Sequence, residues 1–269
     1  MAGIGPHPAG DPGVDQGLMD AMTQSGVALP QAGPRRQASQ EMIGIKGFLE
    51  TSFVDWPGKV AAVLFLPRCN FRCPFCHNHS LVENPEGYED IPLTYIMARL
   101  AELEGWVDGV CISGGEPTIH PLLPSLIAEI KALGLAVKLD TNGTRPHVLK
   151  ALIEEGLVDC VAMDVKAPLN ETSYAAAAGI AVDLAAIQES ISLLKQGKVE
   201  YYFRTTVVPA LHKGEDLLHI AHHLSGSSSL TLQSFSPEDP LDQRLKGTSP
   251  YPEEWLQEMR ERIASILHH

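Results

Sequence analysis

The sequence predicts an α/β protein built as a partial, open barrel of about six strand–helix units around a parallel sheet. Short apolar segments alternate along the chain with segments of helical periodicity, which is the order that right-handed crossovers between parallel strands require. Several helical segments stop at a glycine, as helix C-termini commonly do. A complete eight-unit barrel takes ~250 residues. Residues 42–269 are fewer than that, so the barrel is predicted to stay open.

The first elements are marked by clear patterns. Residues 60–66 (VAAVLFL) are a continuous apolar run, as expected of a strand that is buried on both faces. Helical spacing follows over residues 94–103, and the short apolar segment 109–113 before a pair of glycines predicts the next strand. The amphipathic segment 122–133 predicts a helix that ends at Gly134.

The remaining elements continue the alternation to the end of the chain. Apolar segments predict strands at 136–140, 158–163, 199–208 and 230–235. Helical patterns between them predict helices at 147–155, 184–196, 215–224 and 253–267. The first two of these helices are predicted to end at Gly156 and Gly197. Each predicted strand is thus followed by one helix, which defines the strand–helix unit.

Composition narrows the class of protein. The chain has 269 residues, of which 44% are hydrophobic and 20% charged, and this balance is typical of a globular protein with a large core. Its formal net charge of −13 argues against nucleic-acid binding through neutralised phosphates. No apolar run approaches the ~20 residues that a membrane-spanning helix needs, so no membrane contact is predicted. Five cysteines are too few for a disulfide scaffold in a chain of this length, so they indicate metal binding or catalysis.

The amino-terminal segment differs from the rest. Residues 1–41 contain no aromatic residue and no cysteine, and are rich in Gly and Pro. We predict that they form a disordered extension and that residues 42–269 form the folded domain, with Met42 as the working start. The segment has neither the apolar run of a secretory signal nor the composition of a transit peptide, so a cytoplasmic location is expected.

Polar side chains cluster where the predicted strands end. In parallel α/β folds the chemistry lies at the carboxyl ends of the strands. The residues at those ends are Cys69, Cys73 and Cys76, then Ser113 to Thr118, Asp140 to Gly143, Met163 to Lys166, Arg204 and Gln233. Asp140 and Asp164 could alternatively cap the following helices, and Arg204 and Gln233 could either line the site or only fill the barrel mouth.

The cysteines follow a C-x3-C-x2-C spacing that suits one metal centre. Thiolates are typical ligands of iron–sulfur clusters and of zinc. Three cysteines leave one iron of a 4Fe-4S cluster without a protein ligand, and an open metal position can bind a substrate or cofactor. The alternative is a zinc site with His77 or His79 as fourth ligand, although a second metal-binding knuckle is missing from the sequence.

This cysteine motif, with Phe75 before its last cysteine, resembles the radical S-adenosylmethionine (radical SAM) superfamily. The resemblance runs from about Gly44 to Gln233. The segments Val54–Gly58 (VDWPG) and Cys76-His77-Asn78, with the Asp-Thr-Asn-Gly and Asp-x-Lys strand ends, resemble the activating enzymes of glycyl radical enzymes. Within that group the chain is most similar to the activating proteins of anaerobic ribonucleotide reductase, which are related to pyruvate formate-lyase activase.

The resemblance implies roles for particular residues. Cys69, Cys73 and Cys76 would hold a 4Fe-4S cluster whose fourth iron binds S-adenosylmethionine. The cofactor's amino group would be received by Gly114, Gly115 and Glu116, and glycine would let the backbone approach closely. Phe75 would lie along the adenine. Asn142 and Lys166 would lie near the cofactor. A monovalent cation beside the cofactor carboxylate would be held by Asp140, Thr141, Met163 and Asp164.

Other features of the resemblance concern the partner. Asp55 would lie near the mouth where the partner's glycyl loop enters. Lys59 replaces an arginine that is usual in the family, and Trp56 is expected to add an apolar surface there. An inserted ferredoxin-like cluster is missing from the sequence, because only Cys111 and Cys160 remain, and both are predicted to be small apolar core residues.

The resemblance implies an oxidoreductase that cleaves S-adenosylmethionine reductively and abstracts a hydrogen from a glycine of a partner enzyme, with anaerobic ribonucleotide reductase as the expected partner. Flavodoxin or ferredoxin would supply the electron. One alternative is a radical SAM enzyme that acts on a small molecule, such as a deazaguanine precursor, and another is an activase of a different glycyl radical enzyme. A zinc-stabilised binding protein without catalysis is the remaining alternative.

Overall fold

The computed structural model describes residues 43–267, so the predictions for residues 1–41 and for Met42 lie outside the described range. Within it the strands are β1 Gly47–Ser52, β2 Ala61–Leu66, β3 Gly109–Gly114, β4 Ala136–Thr141, β5 Cys160–Asp164, β6 Glu200–Val207 and β7 Leu230–Ser234. They form one sheet in the order β1-β2-β3-β4-β5-β6-β7. β1 pairs antiparallel with β2, and all the following pairs are parallel.

The helices cover the sheet between the strands. They are α1 His79–Glu83, α2 Leu93–Glu102, α3 Leu123–Ala132, α4 Pro146–Glu154, α5 Glu171–Ala178, α6 Leu184–Leu194, α7 Gly214–His223 and α8 Glu253–Leu267. Short 3₁₀ helices occupy Pro85–Gly87, Pro117–Ile119 and Gln243–Leu245. Their buried faces pack with the strands into one large apolar core.

The sheet confirms the predicted open barrel. Strands that follow one another in the chain are also neighbours in space from β2 to β7, as in a barrel wound in one direction. β1 and β7 are the two edges and do not pair with each other in the described sheet. The six parallel strands and the helices that follow them agree with the predicted segments to within about two residues, the usual uncertainty of element ends.

Three elements were not predicted. β1 (GFLETS) has no clean alternation of apolar and polar residues and is only partly buried. α1 is five residues long, too short to show a helical period. α5 (ETSYAAAA) lacks an amphipathic pattern, but its ends are well specified: the Asn170 side chain accepts from Ser173 N–H, and Gly179 follows with a φ of 72°.

The loop between β1 and β2 closes the amino end of the barrel. Trp56 is only 1% exposed, so the prediction that it adds an apolar surface is wrong. Its ring packs with Ala61 and Cys160, and a Cβ at Gly109 would lie 2.9 Å from Trp56 Cζ3. Small side chains on several strands therefore make room for one large plug. The prediction that Cys160 is a core residue agrees with this packing.

Among residues 43–267, the structure contains no helix that is both long enough and apolar enough to span a membrane.

Candidate active site at the carboxyl ends of the strands

The cysteine loop leaves the carboxyl end of β2. Cys73 is buried, Cys69 and Cys76 are half-buried, and none of the three is in a disulfide. The Phe71 N–H donates to Cys69 Sγ at 3.3 Å, and Asn142 Nδ2 lies 3.8 Å from the same sulfur. Backbone and side-chain donors thus already surround a sulfur that would carry negative charge when it binds a metal.

Burial controls the ionisation of these thiols. It raises the pKa of Cys69 to about 12, and the nearby Glu116 carboxylate adds to the effect. Burial also raises the pKa of Cys73 and of Cys76 to about 11, although the ammonium of Lys166 opposes it. The thiols are therefore protonated at neutral pH until a metal centre displaces the protons.

The donor set fits an iron–sulfur cluster better than a single zinc ion. A zinc site needs its ligands to converge on one ion, whereas a cluster binds each cysteine to a different iron. In the described part of the chain, no three Cys, His, Asp or Glu side chains are close enough together to hold one metal ion. Three thiols that lie near each other without sharing one centre are what a 4Fe-4S cluster would require.

Two glycines bring β3 against the cysteine loop. A Cβ at Gly115 would lie 1.7 Å from the carbonyl oxygen of Arg68, and one at Gly114 would lie 2.4 Å from the carbonyl oxygen of Leu66. Gly114 also has a φ of 109°, in the region that favours glycine. Any larger side chain would push the two loops apart, so this cradle depends on both glycines.

Arg68 turns the chain into the cysteine loop. Its φ of 63° makes it the one non-glycine residue with a left-handed backbone between residues 43 and 267. Its carbonyl accepts from Glu116 N–H at 2.8 Å. Strained backbone of this kind is typically stored at functional sites.

Glu116 links β3 to the loop after β4 by hydrogen bonds, a structural role that was not predicted from the sequence. Its carboxylate is buried and accepts from the Thr118 hydroxyl at 2.6 Å, the Thr141 hydroxyl at 2.7 Å and the Asn142 N–H at 2.7 Å. Burial raises its pKa, and these hydrogen bonds oppose the rise. Glu116 therefore joins β3 to the loop after β4, and most of its acceptor capacity is already used within the protein.

Asn142 links the loop after β4 to the cysteine loop. Its Nδ2 donates to Asn70 Oδ1 at 2.9 Å, and its Oδ1 accepts from the Thr144 hydroxyl at 2.7 Å. Asn70 Nδ2 donates in turn to Thr144 Oγ1 at 2.7 Å. This closed set of hydrogen bonds fixes the position of Asn70, next to Cys69, and the role of Asn142 near the cofactor stays a prediction.

A cluster of charges fills the barrel interior beneath the loops. Arg204 Nε lies 2.8 Å from Asp164 Oδ1, and Arg204 Nη1 lies 3.1 Å from Asp140 Oδ2. Lys138 contacts the other oxygen of Asp140, and Lys166 Nζ lies 2.9 Å from Asp164 Oδ2. The aspartates are thus ion-paired inside the barrel and do not cap helices, and Arg204 belongs to the site.

Sequence reasoning missed Lys138. It lies in the middle of β4, with no exposed surface, and its Nζ is 3.4 Å from Cys111 Sγ. Cys111 is therefore buried, as predicted, but it contacts a charge and is not surrounded only by apolar groups. The Lys138–Asp140 contact could have been predicted from the sequence, because side chains alternate along a strand and residues 138 and 140 of β4 lie on the same face.

The side chains of the four predicted cation ligands point in different directions. Asp140 and Asp164 face the barrel interior, whereas Thr141 donates to Glu116 Oε1 and Met163 packs against Gly143. A Cβ at Gly143 would lie 2.1 Å from Met163 Cε. Because side chains alternate along a strand, residues adjacent in sequence point to opposite faces. The four residues nevertheless lie at the ends of the neighbouring strands β4 and β5, and a monovalent cation site there stays a prediction.

Lys166 is held at the site from several sides. Its Nζ is 5.8 Å from the centre of the Phe75 ring, which is itself buried. Its carbonyl oxygen lies 2.8 Å from His212 Nε2, and His212 Nδ1 accepts from the Val208 N–H at 3.0 Å. Nε2 therefore carries the proton of a neutral imidazole, and burial lowers the pKa of His212. His212 was not predicted; it positions the turn that carries Lys166.

One predicted residue, Asp55, does not lie with the cysteines. Asp55 accepts from the Ser52 hydroxyl at 2.6 Å in the loop before β2. Because Ser52 pairs with Ala61 at the start of β2, this loop lies at the amino end of the barrel. The structure thus gives no geometric support for contact between Asp55 and the reacting centre. Gln233 is half-buried on β7 and has no side-chain hydrogen bond in the described region.

Sequence comparison places these residues in a known context. The profile of the radical SAM superfamily matches residues 63–225. A protein of Methanocaldococcus jannaschii named as a candidate glycyl-radical enzyme activating enzyme is 34% identical over 229 residues, which is 81% of this chain and 89% of that protein. The pyruvate formate-lyase-activating enzyme of Staphylococcus aureus is 32% identical over 103 residues, 36% of this chain and 41% of that enzyme.

Solved structures share the fold. SuiB of Streptococcus suis bound to S-adenosylmethionine superposes with a TM-score of 0.57 at 15% identity, covering 76% of this chain and 48% of that one. TYW1 with a lysine-pyruvate adduct gives a TM-score of 0.54 at 14% identity, covering 76% of this chain and 73% of that one. The superfamily implies a 4Fe-4S cluster and S-adenosylmethionine as cofactors, and the buried thiols and glycine cradle fit them. The chain is a member of the radical SAM superfamily.

Proposed function

We propose that the chain is the activating enzyme of a glycyl radical enzyme. The observation that carries the proposal is the convergence of three free thiols, the Gly114–Gly115 cradle and the interior charge cluster at one end of an open barrel. The similarity over most of both chains to the M. jannaschii protein supports the activase assignment, since that name describes the same activity.

The residues of the chain bind and orient what the cofactors need. When bound, the cluster and S-adenosylmethionine supply reductive cleavage and hydrogen abstraction. Cys69, Cys73 and Cys76 would hold the cluster, and Gly114 and Gly115 let β3 pack closely against the backbone of Leu66 and Arg68, which leads into the cysteine loop. Lys166 places an ammonium beside Phe75, where it can balance a carboxylate. The buried surroundings keep water from a reactive intermediate.

The proposed partner is anaerobic ribonucleotide reductase, and the proposed electron donor is flavodoxin or ferredoxin. The VDWPG segment and the absence of an inserted cysteine cluster from the sequence support this choice among glycyl radical enzymes. Both the cluster and a glycyl radical are sensitive to oxygen, so the proposed setting is an anaerobic cytoplasm.

The loop around Asp55 is proposed as a second contact for the partner, remote from the cysteines, because it lies at the amino end of the barrel. Phe53 and Val54 are 75% and 70% exposed, although both are apolar. An open cleft of about 380 Å³ adjoins the loop and is lined by Trp56, Pro57, Glu200, Tyr201, Tyr202, Ser228, Ser229 and Thr231. Exposed apolar residues beside a cleft are typical of protein contacts. Asp55 remains a proposed partner-binding residue on this basis.

Anaerobic reconstitution tests the function. The parent chain should bind the iron and sulfide of a 4Fe-4S cluster and form 5′-deoxyadenosine, whereas Cys73→Ala should lose both. Cys160→Ala, which removes a thiol at the amino end of the barrel, is the matched control and should keep the cluster.

Deuterium transfer from a glycine-labelled reductase into 5′-deoxyadenosine would identify the partner. Cofactor cleavage without such transfer would favour a small-molecule substrate, and one zinc per chain would contradict the proposal.

A further inference from the structure

Positive charge borders the cysteine loop of an otherwise acidic protein. The chain carries a formal net charge of −13, yet Arg68, Arg72 and Arg145 are all exposed at this end of the barrel. Arg68 is paired at the surface with Glu86, with side chains 65% and 71% exposed. Arg72 and Arg145 have no carboxylate partner within residues 43–267, so their charge is not cancelled by an ion pair.

Arg72 is fixed at the edge of the loop. Its Nη1 donates to the carbonyl oxygens of Cys69 and Phe71, both at 2.7 Å, while the side chain stays exposed. Its N–H donates to Ala178 O at 2.8 Å, at the end of α5. The guanidinium therefore presents positive charge to solvent within a few bonds of the backbone that carries Cys69.

Arg145 lies on the neighbouring loop. It directly follows Thr144, whose hydroxyl accepts from Asn70 of the cysteine loop at 2.7 Å. Its side chain is exposed and makes no hydrogen bond in the part of the chain that the structure describes. Arg145 thus extends the positive surface on the Cys69 side of the loop, whereas the acidic Glu83 lies on the Cys76 side.

We infer that this rim, formed by Arg72 and Arg145 with Arg68 beside them, is the docking surface for a small acidic electron-transfer protein. The inference rests on the proposed function, because only a site that holds a redox cluster needs an electron donor. A local positive surface would counter the repulsion between two acidic proteins and steer the donor to the half-buried Cys69 edge.

Charge reversal tests this surface. The cluster-loaded chain is mixed anaerobically with photoreduced flavodoxin of strongly negative net charge, and the rate of cluster reduction is followed by absorbance. Arg145→Glu should lower the second-order rate constant by roughly 3- to 10-fold at low ionic strength. The difference should disappear at high salt, since such steering is screened. Lys198→Glu is the matched control: it makes the same charge change on an exposed residue at the amino end of β6, and should leave the rate constant within about twofold.

Each remaining outcome decides the question. Photoreduced 5-deazariboflavin, a small uncharged reductant, should reduce the parent and both variants at equal rates. Equal rates for parent and Arg145→Glu with flavodoxin would overturn the inference while leaving the proposed function intact. Equal slowing by Lys198→Glu would also overturn it, because only net charge would then matter. A parent chain that binds no cluster would show no iron–sulfur absorbance before donor is added, and this would contradict the proposed function and the inference with it.

Discussion

Arg204 Nε and Asp164 Oδ1 lie 2.8 Å apart inside the barrel, although the two residues are separated by 40 positions in the chain. They stand opposite each other in the parallel pairing of β5 with β6. Arg204 also reaches Asp140 on β4, so one guanidinium joins three consecutive strands near their carboxyl ends. The stability of the fold and the geometry of the candidate site therefore depend on the same charge cluster.

Replacing Arg204 should destabilise the fold strongly. Arg204→Gln removes the cation that the buried Asp140 and the half-buried Asp164 share, although Lys138 and Lys166 remain beside them. Breaking a buried ion pair costs about 3–5 kcal/mol, and we expect a loss near the lower end of that range. Urea unfolding of the apoprotein should show a loss of about 3 kcal/mol in the free energy of unfolding. Arg262→Gln, whose guanidinium is half exposed and 3.9 Å from Glu258, should change it by at most about 0.5 kcal/mol. Similar losses in both variants would argue against the assigned role of Arg204.

Acid should weaken the fold through Asp164. Burial raises the pKa of Asp164, but Arg204 and Lys166 outweigh burial and hold it at about 2. An unperturbed Asp has a pKa of ~3.9. The native state therefore favours the ionised form, and its contribution to stability is present above about pH 4 and is lost as the pH falls towards 2.

The pH profile of unfolding checks this. Urea titrations of the apoprotein between pH 2 and 6 should show a decline of about 2–3 kcal/mol attributable to this group. Asp164→Asn should be less stable at pH 6 and should flatten the decline, whereas Glu258→Gln on the exposed face of α8 should leave the profile unchanged. A profile for Asp164→Asn parallel to that of the parent would rule out this source of acid sensitivity.

The glycine cradle should not tolerate one methyl group. In Gly115→Ala the new Cβ would lie 1.7 Å from Arg68 O, so β3 and the cysteine loop must separate. We expect a loss of about 1–3 kcal/mol in stability, and reduced iron content after reconstitution. Gly214→Ala is the control, because its Cβ would meet nothing closer than 3.5 Å. Full iron loading of Gly115→Ala would show that the loop can move without losing the cluster.

The stability of the fold should depend on Trp56, which fills the amino end of the barrel. Trp56→Ala removes a ring that is 1% exposed and leaves a cavity, so the free energy of unfolding should fall by about 3–5 kcal/mol. Trp106→Ala removes a ring that is 77% exposed and should have little effect. Denaturant unfolding followed by circular dichroism compares the two without relying on tryptophan emission. Comparable stabilities of the two variants would be inconsistent with a plugged amino end of the barrel.

Much of the architecture could be predicted because it depends on local patterns. The buried strand from Ala61 to Leu66 is apolar throughout, and a strand covered on both faces requires that composition. β1 and α5 could not be predicted in the same way. β1 is only partly buried, so it has no clear apolar pattern. α5 (Glu171–Ala178) is specified by its caps and by the burial of Tyr174, and its sequence shows no helical periodicity of apolar residues.

In the candidate site, too, the features set by local sequence could be predicted and those set by long-range packing could not. Cys69, Cys73 and Cys76 could be identified from the sequence because their spacing is fixed within one short loop, and ligand type alone restricts the metal. The sequence likewise determined that the polar strand ends share one edge of a parallel sheet. Which side chain at each end faces the barrel was decided by strand alternation and pairing register, which separate Thr141 and Met163 from Asp140 and Asp164.

Tertiary structure alone brought Arg204 between two aspartates, placed Lys138 beneath them and buried Trp56 among residues far away in the chain. These contacts join positions tens of residues apart, and only the closing of the sheet brings them within bonding distance. Motifs within one loop therefore determined the chemistry of this protein, whereas long-range packing decided how its charges are neutralised and which end of the barrel is closed.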